Sequence, residues 1–203
     1  MPVPASKGEL LLASKSFVST IGDAVDRREI PGDHRTRGAA SCPQVSQEHH
    51  GAIIHLTESR HHGSAAALLR LQMEALVRGA WLQRCAEEIV VANFLAEGEP
   101  PAIKTMLDEL DLHDWSGKKL ITEIKRKSWK ALCDYTHTGS RQVSRRYKDG
   151  EVIQNYSDDD QVELLVASNL FALVGVGEFS YLSNCEEAST LVLASYELLP
   201  LRA

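Results

Sequence analysis

Three charged residues recur at intervals of four in the strongly apolar stretch from Ser64 to Cys85. In an α-helix, Arg70, Glu74 and Arg78 would align along one narrow stripe. A buried guanidinium needs an acceptor, and one carboxylate satisfies two arginines only in part. Two interpretations follow. The stripe is either a structural set of salt bridges or a pre-organised site for phosphate or carboxylate, since arginine forks suit both anions.

The second candidate for chemistry is the segment DYTHTGSRQVSRR, residues 134–146. Within it, His137 lies between Thr136 and Thr138 and just before a glycine, at an expected helix end. Histidine titrates near neutral pH, which suits proton transfer, although a capping or core role is the alternative. The neighbouring basic residues predict a solvated surface or contacts with RNA phosphates or an acidic partner. These residues are Arg141, Arg145, Arg146 and Lys148.

We predict that the two segments meet in one polar crevice between helices. The residues expected to carry any catalytic chemistry there are His137, Arg70, Glu74 and Arg78. The residues expected to line the crevice and bind are Trp81, Tyr135, Thr136, Thr138, Arg141, Arg145 and Arg146, with Trp129 beside them.

The sequence predicts neither a metal nor a cofactor. Five histidines crowd residues 49–62, but their spacing forms no HxxxH or HExxH pair. Walker, GxGxxG and GxSxG motifs do not occur. The cysteines are far apart and form no CxxC pair, so we interpret them as reduced thiols. They are Cys42, Cys85, Cys133 and Cys185.

The charge balance narrows the range of partners. With a formal net charge of −6, the chain has no general attraction to nucleic acid or anionic lipid. A signal peptide and an uncharged apolar span of membrane length are both missing from the sequence, which predicts a cytoplasmic protein without membrane contact. The expected partners are another protein or a second copy of the chain, and RNA contact would rest on the basic patch alone.

Apolar residues at intervals of three and four dominate the 203 residues, which predicts an all-α fold. We expect one domain, 1–203, formed by a single bundle of six to eight helices. A short extended segment is allowed near residues 147–157. Helices are predicted at about 6–26, 44–62, 64–85, 87–96, 101–112, 116–135, 157–178 and 183–199.

Local signals set several of these boundaries. Ser157 with Asp160 forms a capping-box pattern, and Ser183 with Glu186 repeats it. Residues 30–43 are expected to form a polar loop that ends near the proline at position 43. The segment HHGS, residues 61–64, is expected to stop one helix at its glycine and cap the next with its serine.

Two stretches resemble a bacterial family of small helical proteins that is catalogued as a domain of unknown function. They are SAAALLRLQMEALVRGAWLQRCA and SWKALCDYTHTGSRQVSRR, and NYSDDD at residues 155–160 shares the resemblance. The matching features include Arg70, Glu74, Arg78, Trp81 and the string around His137. The resemblance covers about residues 50–180 and implies a helical fold without a settled activity.

A more distant resemblance is to the helical ribonucleases and toxins associated with nucleotidyltransferases (HEPN). Their motif is an arginine, four to six residues, and a histidine on one helix. Arg27 or Arg28 with His34 has this spacing, but a Pro-Gly pair at residues 31–32 interrupts the helix. The resemblance therefore implies a ribonuclease only if Arg70 and His137 act together from different helices.

Three functional hypotheses follow from these residues. The first is a structural or partner-binding protein, such as an accessory component of a bacterial defence or toxin–antitoxin system. The second is a ribonuclease in which His137 transfers a proton while Arg70 and Arg78 stabilise charge on phosphate. The third is a sensor that binds a small anion in the same crevice.

Overall fold

Helices form nearly all the regular structure of this chain. A computed structural model describes residues 6–30, 32–115, 117–185, 187–188, 190 and 193–194. The helices are α1 Lys7–Val25, α2 His34–Glu58, α3 His62–Arg84, α4 Glu88–Leu95, α5 Ile103–Leu110, α6 Lys118–Thr136, α7 Ser140–Ser144 and α8 Asp158–Ser183. An antiparallel hairpin of β1 Tyr147–Lys148 and β2 Glu151–Val152 lies between α7 and α8. The all-α prediction is confirmed, and the hairpin occupies the predicted extended segment.

Side-chain caps set the start of α1 and α8. The Ser6 hydroxyl accepts from the backbone N–H of Glu9, whose carboxylate accepts from the N–H of Ser6, which is a complete capping box. Ser157 and Asp160 repeat this arrangement at α8. The capping box predicted at Ser157 is therefore confirmed.

The core lies where α2, α3 and α8 pack together. Fully buried apolar residues come from all three helices, and they include Ile53, Met73, Leu76 and Phe171. A polar contact also crosses this core, because Nδ1 of His50 lies 2.8 Å from the hydroxyl of a serine in α8. Burial lowers the pKa of His50 to about 3, so the imidazole is neutral.

The prediction of a loop at residues 30–43 is wrong, because α2 begins at His34. The Asp33 carboxylate caps this helix by accepting from the N–H of Thr36 over 3.0 Å. Pro43 lies inside the helix, and since proline has no N–H, the Ala39 carbonyl receives no α-helical hydrogen bond. That carbonyl lies against α3, where small residues allow a close approach.

Two predicted helix boundaries also change. α3 begins at His62 with His61 as the N-cap residue, so Ser64 lies inside the helix and is not its cap. Ser183 is the last residue of α8. Glu186 and most of the predicted final helix lie outside the described residues, although residues 187–188, 190 and 193–194 are helical.

Within the described part of the chain, one helix, α8, is long and apolar enough to cross a membrane by length and composition alone. Its most apolar window is 56% buried inside the structure. This burial is typical of the central helix of a soluble bundle.

Candidate functional site

Arg70 and His137 are in direct contact, although they are 67 positions apart in the chain. Nη1 of Arg70 donates to Nε2 of His137 over 2.8 Å, and Nε of Arg70 donates to the Glu74 carboxylate over 2.7 Å. The same Nη1 lies 3.6 Å from Sγ of Cys133, and the guanidinium lies 4.9 Å from the ring centre of Trp129. We name these five residues the Arg70 cluster.

Two packed helices position the cluster. Arg70 and Glu74 lie one turn apart in α3, which aligns their side chains as the sequence spacing predicts. His137 follows the last residue of α6, and its backbone N–H donates to the Cys133 carbonyl over 3.0 Å. The cluster therefore ties the end of α6 to the middle of α3.

The contact with Arg70 assigns the tautomer of the His137 ring. A guanidinium only donates hydrogen bonds, so Nε2 of His137 must accept and the ring proton lies on Nδ1. Because this lone pair is engaged, the imidazole is not a free general base. The side chains of Arg70 and Glu74 are each 17% exposed. This arrangement favours a structural role for the Arg70 cluster.

Arg78 does not join the Arg70 cluster. Its Nε is buried and has no hydrogen-bond partner in the described residues. Its guanidinium lies 6.0 Å from the ring centre of Phe94 in α4, and Glu74 pairs with Arg70 instead. The predicted ladder of two arginines on one glutamate is therefore corrected to a single pair.

Trp81 does not line an open crevice. Its side chain is 3% exposed and belongs to the main core. The indole N–H donates to the Glu109 carboxylate of α5 over 2.6 Å. The sequence prediction that Trp81 binds a ligand is corrected, because its one polar atom is already paired inside the bundle.

The residues around His137 point in different directions. The Thr136 hydroxyl donates to the Leu132 carbonyl over 2.9 Å, within α6. Thr138 is exposed and has a positive φ of 54°. The Tyr135 ring is half-buried, with its centre 6.4 Å from that of Tyr156. In the described chain, no hydrogen bond joins Arg70 to Tyr135, Thr136 or Thr138.

The three arginines after His137 also separate. Arg141 is exposed. Arg145 donates to the Asp160 carboxylate over 2.5 Å and to the Asn155 carbonyl over 3.3 Å. Arg146 extends towards the first turn of α3, where its Nη2 lies close to Gly63. The three arginines of the predicted basic patch therefore lie in three different environments.

A cavity of about 880 Å³ lies beside the turn between α2 and α3. Residues of α1, of that turn and of the segment after β2 surround it, and we name it the cationic cavity. Its main lining residues are Lys7, Arg60, His61, His62, Tyr156 and Asp158.

His62 is one of the buried polar residues of this cavity. It is 8% exposed, and its buried Nδ1 has no hydrogen-bond partner in the described residues. Its ring centre lies 5.5 Å from that of Tyr156, whose buried hydroxyl also lacks a partner there. Burial, and then the charges of Lys7, Arg60 and Arg146, lower the pKa of His62. Burial raises the pKa of Tyr156, so its hydroxyl keeps the proton and can donate.

The charges of the cationic cavity do not balance. Lys7 lies 2.7 Å from the Asp158 carboxylate, and Glu58 is paired with a lysine of α1 at 2.6 Å. Arg60, in the lining, and Arg146, which lies beside Gly63 and outside the lining, have no carboxylate partner among the described residues. The two lining carboxylates are thus each paired, while one guanidinium of the lining and one close to it have no counterion there.

The start of α3 adds two backbone donors. The N–H groups of His62 and Gly63 have no acceptor in the described residues, and His61 supplies no side-chain cap. A side chain at position 63 would come within 2.8 Å of Arg146 Nη2 and 3.0 Å of the Tyr156 hydroxyl. Gly63 therefore lets these two polar groups approach the helix start, where the helix dipole also favours negative charge.

The cationic cavity was not predicted from the sequence. Residues 61–64 were expected only to stop one helix and cap the next, and the nearby histidines were considered only as metal ligands. The sequence feature that could have indicated this cavity is a His-His-Gly string next to Arg60, directly before an apolar helix. In the described residues, no group of three or more histidine, cysteine or acidic residues is placed to hold a metal ion.

Comparison with known proteins identifies a family. No curated protein and no solved structure matches the chain. The model of a family of unknown function (DUF6988) matches residues 43–198, which include the whole Arg70 cluster together with Arg60, His62 and Tyr156. Because this match extends over more than half of the sequence, the chain belongs to the family of unknown function DUF6988.

Proposed function

We propose that this protein binds a small anion of the phosphate class in the cationic cavity. The observation that carries the proposal is His62, which is 8% exposed and whose buried Nδ1 has no partner beside two uncompensated arginines. A buried polar atom without a partner is costly, and a ligand that supplies an acceptor removes that cost.

The groups around His62 are suited to an oxyanion. Arg60 and Arg146 provide guanidinium forks, which bind phosphate and sulfate in a bidentate manner. The Tyr156 hydroxyl and the free amides of His62 and Gly63 are further donors. These donors come from three segments around one space, which favours a ligand with several acceptor oxygens over a monatomic anion.

Calorimetric titration with inorganic phosphate, and separately with sulfate, tests the proposal at constant ionic strength. We expect both to bind, and Arg146→Met to weaken binding roughly 10- to 100-fold through the loss of charge-assisted hydrogen bonds. Arg37→Met is the matched control, because Arg37 is an exposed arginine of α2 far from this lining. The absence of binding to the wild-type protein, or an equal loss in both variants, would contradict the proposal.

A second candidate function is binding of a protein partner, and an exposed apolar surface favours it. Four apolar side chains within eleven residues are strongly exposed around the hairpin. They are Val143 at 55%, Tyr147 at 62%, Val152 at 90% and Ile153 at 48%. Lys148 lies beside Asp149 and Glu151 on the same hairpin, so the surface carries both charge signs. Such a surface is self-complementary, and we propose a second copy of this chain as the partner.

The ribonuclease hypothesis receives less support. Its proposed base, His137, already accepts a hydrogen bond from Arg70 through Nε2. Its second proposed arginine, Arg78, takes no part in that contact. The groups proposed to bind the anion lie instead around the first turn of α3, before Arg70.

A further inference from the structure

A second cavity lies next to the cationic cavity, between α3, α6 and α8. It has a volume of about 220 Å³. Among its lining residues, Leu69, Leu132 and Leu164 are at most 8% exposed. Ala66, Ile124 and Ala167 add further apolar surface. We name this space the apolar cavity.

The two cavities meet at shared side chains. His62, Tyr156 and Gln161 line both of them. The Tyr156 ring lies between the rings of His62, at 5.5 Å, and Tyr135, at 6.4 Å. A group attached to an anion held beside His62 would therefore extend along the face of Tyr156 into the apolar cavity.

The charges of the two cavities differ. At the rim of the apolar cavity, the two arginines 141 and 145 are matched by the two carboxylates of Asp160 and Glu163, and Arg145 is bonded to Asp160. The apolar cavity therefore has no excess positive charge. The cationic cavity has the Arg60 guanidinium in its lining and that of Arg146 nearby at Gly63, both without a counterion in the described residues, so the anionic end of a ligand belongs there.

We infer that the ligand is a soluble phosphate monoester with a compact aromatic or branched aliphatic group. This inference rests on the proposed anion-binding function and assigns the organic part of the ligand. An apolar cavity of about 150 Å³ is known to take up benzene. The 220 Å³ present here therefore accommodates one ring, and the apolar lining favours a hydrocarbon over a polar base.

Phenyl phosphate and inorganic phosphate are the probes for this inference. In calorimetry, we expect phenyl phosphate to bind at least roughly tenfold more tightly than inorganic phosphate, because binding removes the apolar surface of its ring from water. Ala131→Phe fills the apolar cavity from α6, and it is expected to remove this preference while inorganic phosphate binds as before. Ala66→Leu fills the same space from α3 and serves if Ala131→Phe does not fold, as judged by circular dichroism. Ala92→Phe is the control, because Ala92 is exposed on α4.

Three other outcomes are decisive. Equal affinity of the wild-type protein for both probes would overturn the monoester inference and leave the proposed function intact. Failure of both probes to bind would overturn both the monoester inference and the proposed anion-binding function. A phosphotyrosine peptide that binds far more tightly than phenyl phosphate would also overturn the inference, because it would indicate a protein ligand instead of a soluble ester.

Discussion

Arg70 and Arg146 show how the same side chain can serve structure in one place and binding in another. Arg70 uses Nε for Glu74 and Nη1 for His137, and its guanidinium lies close to the Trp129 ring. Arg146 lies against the start of α3 without a carboxylate partner in the described residues. A guanidinium without a counterion is stabilised by an added anion, which is why we expect the anion at Arg146.

Replacing His137 by leucine is expected to lower the free energy of unfolding by about 1–2 kcal/mol, because Arg70 loses an acceptor. His137→Gln is expected to cost less, since its amide oxygen can accept the same hydrogen bond. Urea denaturation of the two variants measures the difference. Phosphate affinity should stay unchanged in both. Weaker phosphate binding at unchanged stability would instead place the anion at the Arg70 cluster.

Sulfate is expected to bind more tightly as the pH falls from about 8 to about 5. Burial, and then Lys7, Arg60 and Arg146, lower the pKa of His62 in the free protein. A bound anion offsets these positive charges and favours protonated His62, so binding takes up a proton and strengthens at low pH.

Calorimetry across this pH range measures the effect, because sulfate itself does not change charge there. His62→Gln should largely remove the pH dependence, whereas His55→Gln, an exposed histidine of α2 outside the lining, should leave it in place. A wild-type affinity that is the same at both ends of the range would exclude His62 from the site.

At the scale of elements, α1 and α8 could be predicted because their signals are local. A serine followed three residues later by an acidic side chain can satisfy free N–H groups at a helix start, although the same pattern at Ser183 falls at the end of α8. The structure contains such boxes at Ser6 and Ser157.

The first half of α2 could not be predicted in this way. Its buried residues near Pro43 are small, namely Gly38, Ala39 and Ala40, so they produce no strong apolar periodicity. The proline at position 43 also favoured the prediction that a loop ends there. The helix forms because Asp33 caps its start and because these small residues pack against α3.

Gly79 of α3 is expected to be intolerant of any side chain. A Cβ there would lie 2.9 Å from the Ala39 carbonyl oxygen and 2.9 Å from Cβ of Cys42. Alanine is the better helix former, but the backbone of α2 would have to move to relieve the contact with the Ala39 carbonyl. Gly79→Ala should therefore destabilise the protein by about 1–3 kcal/mol.

Gly22→Ala in α1 is the matched comparison, because a Cβ there meets nothing within 4 Å. It should stabilise the protein by about 0.5–1 kcal/mol through helix propensity. Thermal or urea unfolding of both variants measures whether each substitution raises or lowers the free energy of unfolding. Equal stabilisation of both would show that α2 and α3 do not pack as closely as described.

At the scale of the whole molecule, sequence reasoning found one of the two polar sites. The stripe at Arg70 and the helix end at His137 each have a local pattern, and helix pairing brings them together. The cationic cavity combines Lys7 of α1, the turn at 59–61 and residues 153–156. These segments are far apart in the chain, and no short pattern relates them, so only the fold reveals the site.

The exposed hairpin should make the protein associate with itself. Sedimentation velocity is expected to show a dimer that Val152→Asp weakens, because a charge enters the 90% exposed apolar surface. Leu112→Asp is the control, since Leu112 is 86% exposed elsewhere in the chain. A wild-type protein that remains monomeric at high micromolar concentration would refute this second function.

The close approach of α2 to α3 links two positions that do not look related in the sequence. Pro43 withholds the N–H that would draw the Ala39 carbonyl into its own helix, and the carbonyl meets Gly79 instead. An ordinary residue at position 43 would restore that hydrogen bond and remove the Pro43 ring, easing two of the three close contacts of a methyl group at position 79 while that with Cβ of Cys42 stays. Covariation of these two positions is therefore expected among relatives, with proline accompanying glycine.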